Sequence, residues 1–119
     1  MTMTDVQPYV SQSAAFTGAS VSVAAIAGDW TIKIQVGSLT QGKKARIVVE
    51  DSVDAFGTSL SGPAFSFLGG FGVENDHVRS IKKADFPSLR LGTASAVLRA
   101  KLAELDPAAS ITYKVWIEF

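Results

Sequence analysis

Apolar and polar residues alternate with a period of two along most of the chain. The clearest run is 'WTIKIQV', where every second residue from Trp30 to Val36 is apolar and the residues between them are polar. The runs 'SAVLRAKLAEL' at 95–105 and 'ITYKVWIEF' at 111–119 repeat the pattern. Successive side chains of a β-strand point to opposite faces, so these runs predict half-buried strands. Residues 95–105 also favour a helix by composition, but their regular alternation favours a strand.

Shorter runs predict further strands at 45–51 and, more weakly, at 20–25, 64–68 and 78–82. A single helical turn is an additional possibility at 'DSVDAF'. Turn-forming pairs such as Gly-Asp, Gly-Pro and Asp-Pro separate the runs. We therefore predict an all-β, single-domain antiparallel β-sandwich, jelly-roll-like, with about seven or eight strands and little helix.

The same pattern predicts how some strands connect. The segment 'GSLTQGKK' is expected to form a hairpin loop between the strands at 30–36 and 45–51. The segment 'DPAAS' is expected to form a second hairpin, from 95–105 to 111–119. Residues 1–12 show no period, so we predict an extended N-terminal arm there and a sandwich domain at 13–119.

Composition narrows the function classes. The 119 residues include 11 basic and 11 acidic side chains, and this neutral balance argues against a nucleic-acid partner. There is no cysteine, which excludes disulfides and cysteine-ligated zinc. The N-terminus does not resemble a secretory signal, and no apolar run approaches the ~20 residues of a membrane helix, so no membrane partner is expected.

'GSLTQGKK' also resembles the phosphate-binding pattern G-x-x-x-x-G-K-[ST]. In a working phosphate loop, the last position is a hydroxyl that holds magnesium, and a helix follows. Here Lys44 occupies that position, and the alternating residues after it predict a strand. We therefore interpret the segment as a loop rather than a nucleotide site.

Other apparent motifs are also incomplete. The stretch 'FLGGFGVEND' has Asn75 where a dinucleotide fingerprint requires a third glycine. His77 is the only histidine, so no multi-histidine metal site can form. Glu50, Asp51 and Asp54 lack the spacing of the twelve-residue calcium loop, which favours a salt-bridged turn and leaves calcium as an alternative. We predict no catalytic, cofactor-binding or metal-binding residue and no enzymatic activity.

Candidate contact residues come from the arm, one loop and two aromatic positions. Trp116 falls on the nominally polar face of the last strand, where it is a sugar platform, a subunit contact or a residue packed under a loop or the arm. The arm is a candidate for docking as an added strand, and we expect it to order only in an assembly. The predicted contact residues are Val6, Pro8, Tyr9, Val10, Lys43, Lys44, Phe71 and Trp116.

The stretches 'AAFTGASVSV', 'DWTIKIQVGSLTQGKKARIVVEDSVDAF' and 'LRAKLAELDPAASITYKVWIEF' resemble small β-sandwich proteins encoded among tailed-bacteriophage structural genes. The resemblance spans roughly residues 14–119 and is to head decoration, or cement, proteins. It implies a virion component, assembled in the host cytoplasm, that binds the major capsid protein or other virion proteins. Such proteins are commonly homo-oligomers, often trimers. The alternative is a carbohydrate-binding β-sandwich module, with Trp116 or Phe71 stacking on a sugar.

Overall fold

The computed structural model describes residues 2–57, 59–70 and 77–119. These residues form antiparallel strands and a single 3-10 turn at Lys83–Asp85, which confirms the predicted all-β fold class. No helix in these ranges is long and apolar enough to span a membrane. The strands are β1 (Met3–Gln12), β2 (Phe16–Thr17), β3 (Val21–Ser22), β4 (Thr31–Leu39), β5 (Lys44–Ser52), β6 (Ser59–Leu68), β7 (His77–Lys82), β8 (Val97–Leu105) and β9 (Ile111–Glu118).

The strands form two sheets that pack face to face. Sheet 1 has the order β1-β9-β4-β7, and sheet 2 has the order β2-β8-β5-β6, with β3 also pairing with β8. The pairing is nested: β1 pairs with β9, β2 and β3 with β8, β4 with β7, and β5 with β6. This nesting is the jelly-roll arrangement, in which the chain behaves as one long hairpin rolled into a sandwich. In this fold, β2 and β3 together occupy one strand position.

The core lies between the sheets and is built by the alternating residues of the central strands. In β4, Ile32, Ile34 and Val36 are buried, and the residues between them are partly exposed. Trp30 also faces inward, as its position in the alternating run predicts. The largest fully buried side chains are Tyr113, Ile32, Ile34, Leu39, Ile47, Leu98, Leu102, Ile111, Ile117, Val6, Val23 and Val36.

The predicted hairpins are wrong, although the strands that they join are present. β4 belongs to sheet 1 and β5 to sheet 2, so the chain between them crosses from one sheet to the other. β8 and β9 are separated in the same way. Among the consecutive strands that the structure describes, only β5 and β6 are hydrogen-bonded neighbours. Alternation shows which side chains point inward, but two strands that face each other across the core have the same pattern as two strands that pair.

The two crossing segments are tied together at one end of the sandwich. The Thr40 amide donates to the Ser110 carbonyl oxygen at 3.1 Å, and the Ser110 amide donates to Thr40 Oγ1 at 2.9 Å. The Lys44 amide donates to Asp106 Oδ2 at 2.7 Å, and the Asp106 amide donates to the Lys44 carbonyl oxygen at 3.0 Å. Gly42 turns with φ of 75°, a left-handed value that glycine adopts freely. The segment that resembles a phosphate loop therefore contains the end of β4, a sheet-to-sheet connection and the first residue of β5.

The structure also corrects the prediction of an extended N-terminal arm. Met3–Gln12 forms β1, which pairs with β9 at one edge of sheet 1, so the domain boundary at residue 12 does not hold. Register shifts on either side of Gln7 bring Val6 and Gln7 both inside, and this hides the period of two from the sequence. The segment is ordered within the single chain, contrary to our expectation that it orders only in an assembly. The Thr2 and Phe119 backbones also exchange hydrogen bonds, of 2.6 and 2.9 Å.

Candidate interaction surfaces

Trp116 lies on the outer face of sheet 1, as predicted, but it is only 9% exposed. Its Nε1–H donates to Glu118 Oε2 at 3.0 Å, and Lys114 Nζ lies 5.2 Å from the centre of its ring. Lys33 Nζ forms an ion pair with Glu118 at 3.2 Å, and Lys114 forms one with Asp5 of β1 at 3.5 Å. Lysine stems cover apolar surface while their ammonium groups stay in water. Of the alternatives for Trp116, the structure favours packing, and the indole offers no open platform.

This cluster also sets the charge of Glu118. The hydrogen bond from the Trp116 indole, and then the contact with Lys33, lower the pKa of Glu118 below its ordinary value. The carboxylate therefore stays ionised and holds the indole nitrogen and Lys33 in place. This part of the outer face is a set of satisfied charges around a covered aromatic ring.

Tyr9, in contrast, is an aromatic side chain that sheet 1 exposes. A methyl group placed on Gly37 would lie 3.2 Å from the Tyr9 hydroxyl and ring edge, and 3.1 Å from Thr112 Oγ1. Tyr9 therefore lies across the sheet over Gly37, where no side chain competes for the space. Its neighbour Pro8 is exposed, while Val10 is partly buried against the core. Of the four predicted contact residues in β1, Pro8 and Tyr9 are accessible and Val6, at 2% exposure, is not.

Lys43 and Lys44 lie at the connection between β4 and β5. Lys44 is exposed and Lys43 is partly buried, and within the described part of the chain neither forms an ion pair. Beside them, the end of sheet 2 has a shallow groove of about 360 Å³. The groove is lined by Lys44, Ala45, Arg46, Ser66, Phe67, Leu68, Glu104 and Asp106.

The acidic segment considered for calcium is bound by arginines. Asp51 is buried and accepts hydrogen bonds from the Arg90 amide at 3.0 Å, from Nε at 3.1 Å and from Nη2 at 3.2 Å. The hydrogen bond with Asp51 raises the pKa of Arg90. Glu50 accepts from Arg99 Nε at 2.8 Å, and the Arg99 guanidinium stacks on the Phe56 ring at 3.9 Å. These carboxylates form structural ion pairs, as the interpretation of the segment as a salt-bridged turn predicts.

No three metal-ligating side chains come together among the residues with described positions. Phe71 lies outside the described residues, so its predicted contact has no structural outcome.

Among the described residues, the exposed large apolar side chains share one property that the sequence did not reveal. They are Met3 at 55%, Tyr9 at 53%, Leu68 at 53% and Val78 at 50%. All four lie on β1, β6 or β7, and each of these strands is the edge of its sheet. Except for Tyr9, they were missed because edge positions follow from the strand order, and nothing in the sequence pattern marks them.

The chain was compared with protein-family models, curated proteins and solved structures, and none of them matches it.

Proposed function

We propose that this chain is a structural protein of a tailed-bacteriophage virion, of the capsid decoration type. The observation that carries the proposal is the placement of exposed apolar side chains at the sheet edges. β1 lies at one open side of the sandwich, where Gln7 contacts Gly18 next to β2. β6 and β7 lie at the other, where the Arg79 guanidinium packs 5.4 Å from the Phe67 ring centre.

Exposed apolar residues on edge strands favour contacts with other protein chains. Their presence on both open sides suits a subunit that meets neighbours on each side, as a lattice component does. The sequence resemblance to decoration proteins over roughly residues 14–119 points in the same direction. The proposed partners are the major capsid protein or other virion proteins and further copies of this chain, assembled in the host cytoplasm.

Particle binding tests the proposal directly. Particles of the phage that carries this gene are prepared without the protein and mixed with the purified chain, and bound protein is measured by co-sedimentation. We expect saturable binding and a higher particle melting temperature, with binding weakened about tenfold or more by Tyr9→Ser or Val78→Ser. Ala94→Ser is the matched control, because Ala94 is exposed but lies on no strand. Absence of binding by the wild-type protein would contradict the proposal.

A carbohydrate-binding module is the second candidate. Its aromatic platform would be the exposed Tyr9, because Trp116 is buried. The Tyr9 ring lies over Gly37 beside the Ser38 and Thr112 hydroxyls, which are 2.7 Å apart. An exposed aromatic ring beside hydroxyl groups is suited to stacking on a sugar. A glycan array decides between the candidates: binding that Tyr9→Ala abolishes, in a protein that remains folded, favours the sugar module. Without any glycan signal, this candidate is rejected.

A further inference from the structure

Among the described residues, none pairs with the outer edge of the second half of β6, residues 64–68. Among the strands that the structure describes, β6 pairs only with β5. The Gly69 amide donates to the Lys43 carbonyl oxygen at 2.8 Å, and hydrogen-bonded positions of an antiparallel pair recur at every second residue. Phe67 and Phe65 therefore direct their backbone groups to β5. Ala64, Ser66 and Leu68 direct theirs to the open side.

The other edges carry features that block strand addition. β1 contains Pro8 and two register shifts, β2 and β3 have two residues each, and β7 carries the exposed cations Arg79 and Lys82. The first half of β6 contains Pro63, and the connection between β7 and β8 packs against it at Gly62. There, a methyl group on Gly62 would lie 3.0 Å from Leu89. Proline, bulges and charge are the usual protections of natural sheet edges.

Segment 64–68 has none of these protections. Its sequence, 'AFSFL', contains no charge and no proline. Its pairing with β5 runs without a register shift from Ala64 to Leu68. Ala64, Ser66 and Leu68 are all exposed, and Leu68 is among the most exposed apolar side chains described.

We propose that this edge pairs antiparallel with the same segment of a second copy of the chain, across a two-fold axis at Ser66. In this register, Ser66 lies opposite Ser66 of the second copy, and Ala64 lies opposite Leu68. It is the only register in which all three outward-directed residues exchange hydrogen bonds.

The sequence of the segment fits its own copy. Because 'FSF' reads the same in both directions, each Phe65 lies opposite Phe67 of the other chain, and cross-strand aromatic pairs are favourable. Because the segment is uncharged, self-pairing brings no like charges of its own side chains together. Such a charge conflict would oppose self-pairing of β7. The result is an isologous dimer in which sheet 2 continues from one copy into the other.

The proposed function includes self-association of the chain, and the edge pairing deepens it. The associated form is then a two-fold dimer, in place of the expected trimer. Its test uses the purified protein alone. A monomeric protein in this test would therefore not contradict particle binding. Absence of particle binding would likewise not contradict the dimer.

Light scattering coupled to size exclusion gives the first measurement. The wild-type chain is expected at twice the 12.5 kDa monomer mass. Ser66→Lys and Ser66→Glu place like charges opposite each other on the axis, so each alone is expected to be monomeric. An equal mixture of the two is expected to restore the dimer, because the axis then joins opposite charges. Ser80→Lys is the matched control on β7, also an exposed edge serine, and is expected to remain dimeric.

A cross-linking experiment covers the case in which a charged variant does not fold. The chain has no cysteine, so Ser66→Cys introduces a single thiol at the proposed axis. Mild oxidation is expected to form the disulfide dimer at least about tenfold faster than in Ser80→Cys, because paired thiols react at a high effective concentration. A monomeric wild-type protein, a Ser66→Lys variant that stays dimeric, or equal oxidation rates would each overturn the proposal.

Discussion

The buried hydroxyl of Tyr113 gives a stability prediction with a definite sign. The side chain is fully buried in β9, and its oxygen has no hydrogen-bond partner among the described residues. Leaving a buried polar group unpaired costs about 1–3 kcal/mol. Tyr113→Phe removes this group and keeps the ring, so we expect the free energy of unfolding to rise by about 1 kcal/mol or more. With about 2.1 cal/mol/K of unfolding entropy per residue, 1 kcal/mol corresponds to a rise in Tm of about 4 °C for a chain of 119 residues.

The same substitution has a pH signature. Burial raises the pKa of Tyr113 to about 12 from an ordinary value of 10.0. Between these values the phenol ionises in the unfolded chain but stays protonated in the folded one. The wild-type protein therefore loses stability as pH rises from about 10 to about 12, by about 3 kcal/mol at 1.36 kcal/mol per pKa unit. Tyr113→Phe lacks this loss.

Urea unfolding of both proteins at neutral pH and at rising alkaline pH measures the two effects. Other groups that titrate in the alkaline range do so in both proteins, so the difference between the two isolates Tyr113. The matched control is Tyr9→Phe, whose side chain is half exposed and is expected to leave the free energy of unfolding unchanged. The reasoning is refuted if Tyr113→Phe is less stable than the wild type, or if the difference does not widen above pH 10.

Three further predictions concern packing, backbone contact and charge. Leu98→Ala, at a fully buried position near the start of β8, is expected to lower the free energy of unfolding by about 2–5 kcal/mol. The exposed Val78→Ala should change it by under about 0.5 kcal/mol, and equal effects would contradict the described core. Gly69→Ala places a methyl group against a backbone carbonyl, so urea unfolding should show a loss of about 1–3 kcal/mol, and wild-type stability would argue against this close approach. Trp116→Phe removes the indole donor, so an NMR titration should show the pKa of Glu118 rising towards its ordinary value. Because a lowered pKa stabilises the fold above the ordinary pKa of the carboxyl, this variant should lose less stability as pH falls through that region. An unchanged pKa would contradict the role of the indole.

The strands with one buried face could be predicted from the sequence. β4, β8 and β9 alternate between buried and partly exposed residues over most of their lengths, and their inward residues follow from this pattern. β1 could not be predicted in this way, because its bulges bring neighbouring residues inside together and only Val6 joins the core from its first half. Where an edge strand buries few of its residues in the core, its sequence alternates only weakly.

The pairing of the strands could not be predicted from the sequence, for a different reason. A short connection between two alternating runs fits a hairpin within one sheet and a crossing between two sheets equally well. The four-residue gap between β4 and β5 is compatible with both. The choice depends on which distant strands compete for the backbone groups of β4, and those strands are β7 and β9.

The predicted contact residues differ in their accessibility. Pro8, Tyr9 and Lys44 are accessible, whereas Trp116 is covered by side chains that the sequence pattern had marked only as polar. The length of a lysine stem lets it cover an aromatic ring, and a polarity pattern does not record this.

The nested pairing of the jelly roll also determines when the fold can form. β1 is synthesised before the other described strands, yet the strand that pairs with it, β9, follows all of them. Until then, the apolar residues of the early strands have no complete sheet to cover them, and closing such distant pairs is intrinsically slow. The sandwich can therefore close only after β9 has been synthesised, and until then the exposed apolar residues of the earlier strands favour aggregation.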